Sequence, residues 1–349
     1  MADLTREDLR AAVAAGHISE AQAADVLALA QMRAGQRMAE DEPFELFRGF
    51  ADIFVAVGLS ILFSGALGLS FLIGGPFGLL ATVALAWFGA RYFTLRRRMV
   101  LPSIVLLLAY AAASTATMNW LSVFLWSDGA NQTLPRLFTL AGVALALLAW
   151  FRAFRLPFTM FLLGLTGLAM VVTVSKAINP AADWRRWSDA FDLSANGLAF
   201  GTLVFGLAAF AGGLWFDLRD RFRLGRTAAS GFWLHLLAAP ALVNTFALSA
   251  LRMGPGTGYA LLALTVLAAA FLALLIDRRS FLTAGIGYMV FLVGYASGGF
   301  DAPRSWAAVF FVSGIGLTAL GTYWTELRGR LLRALPDFPG KSRLPPFSE

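Results

Sequence analysis

Ten long apolar runs, every second one closed by a short cluster of arginines, leave this chain few ways to fold. The runs cover 51–73, 76–95, 100–125, 136–151, 157–176, 195–216, 229–251, 258–276, 281–297 and 306–325. A helix needs about 20 apolar residues to cross a hydrocarbon core of about 30 Å. Apolar residues continue through each run without period-2 alternation, so none reads as a strand. Inside lipid, every backbone amide must be satisfied within its own segment, which leaves the helix. The expected fold is all-α: a polytopic membrane bundle of about ten transmembrane helices arranged as five hairpins. The runs divide the chain into a polar stretch at 1–48, a transmembrane bundle at 49–327 and a basic, proline-rich tail at 328–349.

Composition supports this reading and removes others. Of 349 residues, 58% are hydrophobic and only 14% charged, with a mean hydropathy of +0.70. Soluble domains carry about 25% charged residues. The net charge of +7 would suit nucleic acid, but the basic residues lie in short clusters between apolar spans rather than on one polar face. Nucleic acid is therefore excluded as a partner, and the lipid bilayer is expected. The chain has no cysteine and two histidines, His17 and His235. Disulfides, thiolate metal sites and thiol nucleophiles are excluded, and no cofactor or metal is expected. The start of the chain lacks the basic-then-apolar pattern of a cleavable signal, so the first span is expected to direct insertion.

The arginine clusters set the topology. They recur in "YFTLRRRMVLP" (Arg96, Arg97, Arg98), "WFRAFRLP" (Arg152, Arg155), "DLRDRFRLGR" (Arg219, Arg221, Arg223), "IDRRSF" (Arg278, Arg279) and "ELRGRLLR" (Arg328, Arg330). Lys and Arg concentrate in cytoplasmic loops. With both termini cytoplasmic, only Arg136, Lys176, Arg185, Arg186, Arg252 and Arg304 of the 28 basic residues fall outside. The clusters thus read as topology anchors at the inner end of each hairpin, and the protein as a multi-pass membrane protein with both termini cytoplasmic. Aromatic residues just before the arginines suit the headgroup layer. The repeated hairpin ends are open to two origins, duplication or shared boundary physics.

The polar stretch reads as two short helices. Thr5 with Asp8 forms a weak N-terminal cap, and Ser19 with Gln22 a capping box. Gly16 lies between them, where a helix end favours left-handed dihedrals. Leu9, Val13 and Ile18 are expected to pack against Val26, Leu27 and Ala30. So short an element rarely holds a core alone, so residues 1–40 are expected to dock on a protein partner, on a second copy or on the membrane domain. The hairpin "AAGHISEAQAADVLALA", with its G-x-I-S-x-x-Q-A turn ahead of many spans, resembles bacterial multi-pass membrane proteins with a short N-terminal helical pair. The resemblance implies an inner-membrane location and brings no functional residues.

Chemistry is sparse. Asp52, Arg91, Lys176 and Asp217 lie near span ends, where side chains are expected to reach the interface. "GPGTG" (254–258) lacks the lysine of a phosphate-binding loop. The unusual group is His235, about 10 Å inside the span boundary at ~1.5 Å per residue. Pro240 follows and is expected to kink the helix, with Asn244 and Thr245 beyond. These four form a candidate polar site; the alternative is a neutral histidine bonded to a neighbouring helix. Ser114, Thr115, Thr117, Asn119, Thr173, Ser175 and Lys176 suggest a polar outer vestibule. Trp184, Arg185, Arg186 and Trp187 read first as an interfacial loop with tryptophan anchors and otherwise as a candidate outer contact surface.

Three function classes follow. Neutral spans and polar-spotted helices fit transport or flipping of a neutral, lipidic or amphipathic molecule. A non-catalytic scaffold or regulatory subunit docking through the N-terminal hairpin is the alternative. An enzyme is disfavoured, because no acid–base or metal constellation is visible. The topology has a direct test: a reporter fused at Asn131 should be active only outside the cytoplasm, and cytoplasmic activity there would overturn the scheme.

Overall fold

The computed structural model describes residues 6–33, 50–126, 132–180, 191–193, 197–220, 222–223, 226–296 and 303–345. Its regular elements are all helical, with no strand among the described residues. Seven helical stretches are long and apolar enough to cross a membrane: Phe50–Arg96, Val100–Leu125, Thr133–Phe154, Thr159–Ile178, Leu198–Asp217, Arg226–Arg252 and Thr257–Ile276. Ser280–Leu292 and Val309–Thr322 are shorter apolar helices. The difference from ten expected spans has two causes. The last two runs keep shorter apolar helices, and the first two join into one 47-residue helical stretch. The chain forms two compact units, Pro43–Pro180, and Met1–Glu42 with Ala181–Glu349.

The first unit holds α3 (Phe50–Leu69), α4 (Gly75–Ala90), α5 (Val100–Leu125), α6 (Thr133–Phe154) and α7 (Thr159–Ile178). The 47-residue stretch bends at Gly75, whose φ of 49° and ψ of −142° suit only glycine. Pro76 follows in the first turn of α4, where its fixed φ is helical. A Cβ on Gly78 would stand 3.0 Å from the Ser70 Cα, and the Ser70 and Thr82 hydroxyls meet at 3.2 Å. So α3 and α4 fold back on each other as a hairpin. α5 packs against α3, α4 and α6. Beneath the arginine turns lie Trp87, Tyr110, Trp150 and Phe154, with Trp150 centred 4.7 Å from Tyr110 and 4.5 Å from Phe154.

The second unit holds α1 (Arg6–Ala14), α2 (Glu20–Arg33), α8 (Gly197–Asp217), α9 (Arg226–Arg252), α10 (Thr257–Ile276), α11 (Ser280–Ala296), α12 (Pro303–Thr322) and α13 (Trp324–Ala334). Ahead of α2, the Ser19 amide donates to Gln22 Oε1 at 2.9 Å and the Gln22 amide to Ser19 Oγ at 3.2 Å, a reciprocal capping box. Gly16 turns at φ 75°. The hairpin buries Leu9 and Ala23, whereas Val26 stays 42% exposed. The tight turn brings the start of α2 against α1 and so moves the contact one turn earlier than expected. Thr5 lies outside the described residues. α9 is the centre of this unit and packs against α8, α10 and α11; α13 packs on α10.

Membrane-type helices also satisfy their hydroxyls internally. Thr115 donates to the Ala111 carbonyl, Thr117 to Ala113 and Thr173 to Ala169. Each is a bond four residues back on its own helix.

One backbone feature recurs at the arginine turns. Arg98, Arg155, Arg223 and Asp277 adopt left-handed φ of 53°, 48°, 52° and 56°. Arg223 lies six residues past the end of α8, whereas Arg98, Arg155 and Asp277 stand at the ends of the Phe50–Arg96 stretch, α6 and α10. This is the helix-end position at which glycine is usual. The turn is closed by bonds such as Arg155 N–H to the Phe151 carbonyl (2.8 Å) and Arg278 N–H to Ala273 (2.9 Å). Arg152 and Arg155 are both exposed, but Arg152 is helical. Arg155→Gly should therefore leave the melting temperature in detergent unchanged or raised, while Arg152→Gly costs about 1 kcal/mol. Equal losses would rule out the left-handed turn.

Candidate functional site: an ionic cluster beside an apolar groove

Two small residues create the site. A Cβ on Gly213 of α8 would lie 2.8 Å from the His235 ring, and one on Gly231 of α9 would lie 2.5 Å from Asp217 Oδ1. The two backbones thus approach closely where α8 ends. Into that space Asp217, the last residue of α8, and His235 of α9 point toward each other. His235 Nε2 stands 3.0 Å from Asp217 Oδ2; with a carboxylate as partner, this nitrogen carries the proton and donates.

Arg278, just past α10, completes the group. Its Nε donates to Asp217 Oδ2 at 3.0 Å and one Nη to Oδ1, forming a two-pronged fork. The same Nη reaches the Ala228 carbonyl at 2.7 Å. Asp217 is 5% exposed, Arg278 2% and His235 fully buried. Asp217 therefore does not reach toward solvent as expected of a residue at a span end. A charge this deep is stable only when paired, and the pairing draws it inward.

A second node shares the turn. The left-handed Asp277 accepts at Oδ1 from Trp324 Nε1 (2.8 Å) and meets Arg223 Nη1 at Oδ2 (2.9 Å). Arg223 also donates to the Asp277 backbone carbonyl at 2.7 Å. Arg328 Nε lies 3.9 Å from Asp277, and its Nη2 donates to the Pro345 carbonyl at 2.8 Å. Adjacent residues 277 and 278 thus send opposite charges to two nodes and tie α8, α9, α10 and α13 together.

The anchoring arginines accordingly divide. Arg96, Arg97, Arg98, Arg152, Arg155 and Arg330 are exposed, and so is Arg219, stacked 3.6 Å over Trp215. Arg279 lies 5.4 Å over Trp324. Arg278 and Arg328 are buried and Arg223 nearly so. Arg221, Trp184, Arg185, Arg186 and Trp187 lie outside the described residues. The remaining candidates do not converge with His235. α9 runs on through Pro240. Asn244 Oδ1 accepts from the Tyr288 hydroxyl of α11 at 2.9 Å, and Thr245 donates to the Ala241 carbonyl at 2.6 Å. His235 and Asn244 thus face different helices, as their opposite positions on an unbroken helix require.

Sequence reasoning missed Asp217, Asp277 and Arg278 as partners. The signal was present: "LWFDLRDR" and "IDRRSF" carry carboxylates among their arginines, whereas "TLRRRM" and "WFRAFR" carry none.

Beside the cluster, α9 and α10 part to leave an apolar groove of about 460 Å³. Leu242, Phe246 and Ser249 line one wall, Leu264 and Ala268 the other, and Phe281 the floor; no charged residue lines it. The Phe281 ring is centred 5.9 Å from His235, and Phe210 lies 5.6 Å from both. A single aromatic ring separates the groove from the ionic cluster. Among the described residues no group of three or more His, Asp or Glu is placed to hold a metal. Both Asp217 oxygens are engaged by Arg278 and His235, so the cluster ties α8, α9 and the turn after α10 together.

No known family, curated protein or solved structure matches this chain.

Removing one member of a buried ion pair strands the other, at a cost of about 3–5 kcal/mol. Arg278→Met should cost that much in thermal unfolding, and Asp217→Leu with Arg278→Met less than either single change. Additive losses would show that the two side chains do not hold each other.

Proposed function

We propose that this protein transports or flips a neutral, lipidic or amphipathic molecule, working from ten crossings with both termini cytoplasmic in a bacterial inner membrane. The ten crossings follow from treating α3 and α4 as separate spans and α11 and α12 as short ones. The observation that carries the reading is the groove between α9 and α10. Its lining is apolar apart from the hydroxyls of Ser249 and Thr265, and Thr265 already donates to the Leu261 carbonyl at 2.8 Å. Such a surface accepts hydrocarbon and rejects ions, which would lose their hydration without replacement.

The ionic cluster supports the same reading by fixing the arginine-rich ends of the helices that border the groove. A path for a lipidic molecule needs helices that part along their length while staying joined at one end. A second reading, a scaffold docking through α1 and α2, is favoured by Val26 and Leu29, 42% and 54% exposed on that small hairpin.

Ala268 is exposed on the groove wall, so Ala268→Trp fills the groove without crowding the core. Native mass spectrometry after gentle extraction should find a lipid or small amphiphile retained by the wild-type protein and absent from Ala268→Trp, with the melting temperature unchanged. Equal retention by the variant would remove the groove as the site.

A further inference from the structure

We propose that the bend between α12 and α13 binds a phospholipid whose headgroup joins a phosphate to a primary ammonium, with Arg330 taking the phosphate and Glu326 the ammonium. This site is separate from the α9–α10 groove and does not depend on it.

The chain passes from an apolar helix to a charged one at a single residue. α12 ends at Thr322 and α13 starts at Trp324, with Tyr323 between them at φ −97° and ψ 18°. The Tyr323 amide donates to the Ala319 carbonyl at 2.8 Å, and the Tyr323 carbonyl accepts from the Leu327 amide at 2.9 Å. Both helices are thus hydrogen-bonded up to the bend. Against it lies a pocket of about 470 Å³. Gly316, Ala319 and Leu320 of α12 supply its apolar part, and Tyr323, Glu326 and Arg330 its polar part. From Gly316 to Thr322 the apolar part extends about 9 Å at ~1.5 Å per residue, room for the first methylenes of an acyl chain.

The register of α13 decides which side chains reach the pocket. Residues 323, 326, 327 and 330 recur at three- and four-residue spacing and form one stripe. On the other side Trp324, Arg328 and Leu332 are buried, and the first two serve the Asp277 node. The charges of α13 are therefore sorted: Arg328 goes inward to a carboxylate, while Glu326 and Arg330 stay exposed. Neither of these two has a hydrogen bond or ion pair among the described residues. Glu with Arg four residues on is a spacing at which a helix ordinarily pairs its charges, yet here they line the pocket apart.

That separated pair selects the ligand. One helical turn divides an acceptor-only carboxylate from a planar set of donors suited to phosphate. A purely anionic headgroup would meet Glu326, and a purely cationic one Arg330. A phosphate with an ammonium on a short linker satisfies both. The ammonium must carry N–H donors, because the carboxylate offers only acceptors. The apolar part of the pocket, on a helix of membrane type, favours a lipid over a soluble phosphate ester.

The test measures binding of tritiated dioleoyl phosphatidylethanolamine to the full-length protein in detergent, against unlabelled competitors. Phosphatidylcholine has no N–H on its ammonium, phosphatidylglycerol has no ammonium, and glycerophosphoethanolamine has the headgroup without chains. Unlabelled phosphatidylethanolamine should displace the label at about tenfold lower concentration than the other two lipids, the worth of one charge-assisted hydrogen bond. Glu326→Gln should erase that difference, and Arg330→Gln should weaken the labelled lipid by a similar factor. A Cβ on Gly316 would meet nothing within 4 Å, so Gly316→Trp should fill the pocket and abolish binding with the melting temperature unchanged. Ala268→Trp, in the other groove, should leave binding intact. Equal displacement by all three lipids, with both charge variants indifferent, would overturn the headgroup reading. Glycerophosphoethanolamine competing as well as the intact lipid would overturn the lipid reading in favour of a soluble ligand. Loss of binding in Ala268→Trp but not in Gly316→Trp would move the ligand to the α9–α10 groove. If the wild-type protein does not bind the labelled lipid, this site falls and the groove reading stands untouched.

Discussion

Burying Arg278 and Asp217 together in an apolar bundle is the constraint from which most of the second unit follows. Each charge alone would cost several kcal/mol to remove from water, so the fold must supply a partner, the right distance and cover on all sides. The guanidinium fork fixes Arg278 against both carboxylate oxygens, and His235 closes the remaining approach. That arrangement needs two helices with no side chains between them, which is why Gly213 and Gly231 face the cluster. It also needs the turn after α10 to leave the helix sharply. The left-handed Asp277 makes that turn and sends its carboxylate to Arg223 and Trp324 while its neighbour reaches back to Asp217. Replacing glycine by aspartate there carries a backbone penalty of about 1 kcal/mol, offset by two ion pairs and an indole hydrogen bond.

The two units solve the same boundary problem differently. In Pro43–Pro180, the arginines of the turns are exposed and the space beneath them is closed by aromatic packing among Trp87, Tyr110, Trp150 and Phe154. In the other unit, Arg223, Arg278 and Arg328 turn inward and are closed by carboxylates. Both keep the same left-handed residue after a returning helix, at Arg98 and Arg155 in one and at Asp277 in the other. Shared turn geometry with different interior chemistry shows that the helix end, not the residue's charge, dictates the backbone.

This contrast explains what could be read in advance. The helices were legible because long apolar runs have one backbone solution in lipid, and the Ser19–Gln22 cap because its partners are three residues apart. His235 stood out as an ionisable group inside a span. Its partners did not, because Asp217 lies 18 residues away in sequence and Arg278 is a further 43 beyond His235. Only the presence of acids within three of the five arginine turns, at Asp217, Asp277 and Glu326 among others, distinguished clusters with inward-facing arginines from solvated ones. The groove was not legible at all. Leu242, Leu264 and Phe281 are apolar residues like their neighbours, and their separation arises from how α9, α10 and α11 cross.

The position of Phe281 links the two halves of the site. It is 1% exposed, floors the groove and stands edge-on to both Phe210 and His235. Any widening of the groove near its floor must shift this ring, and a close-packed interior transmits such a shift to its neighbours. The neighbour in question is the imidazole that holds Asp217. Resistance to opening at that end therefore comes from the ion pair, whereas at the opposite end the start of α10 packs directly against the end of α9, around Ala247, Ala250 and Leu262. The groove is thus tied at both ends, by the ion pair beside its floor and by the α9–α10 junction, and the space between is lined by apolar side chains alone apart from two hydroxyls.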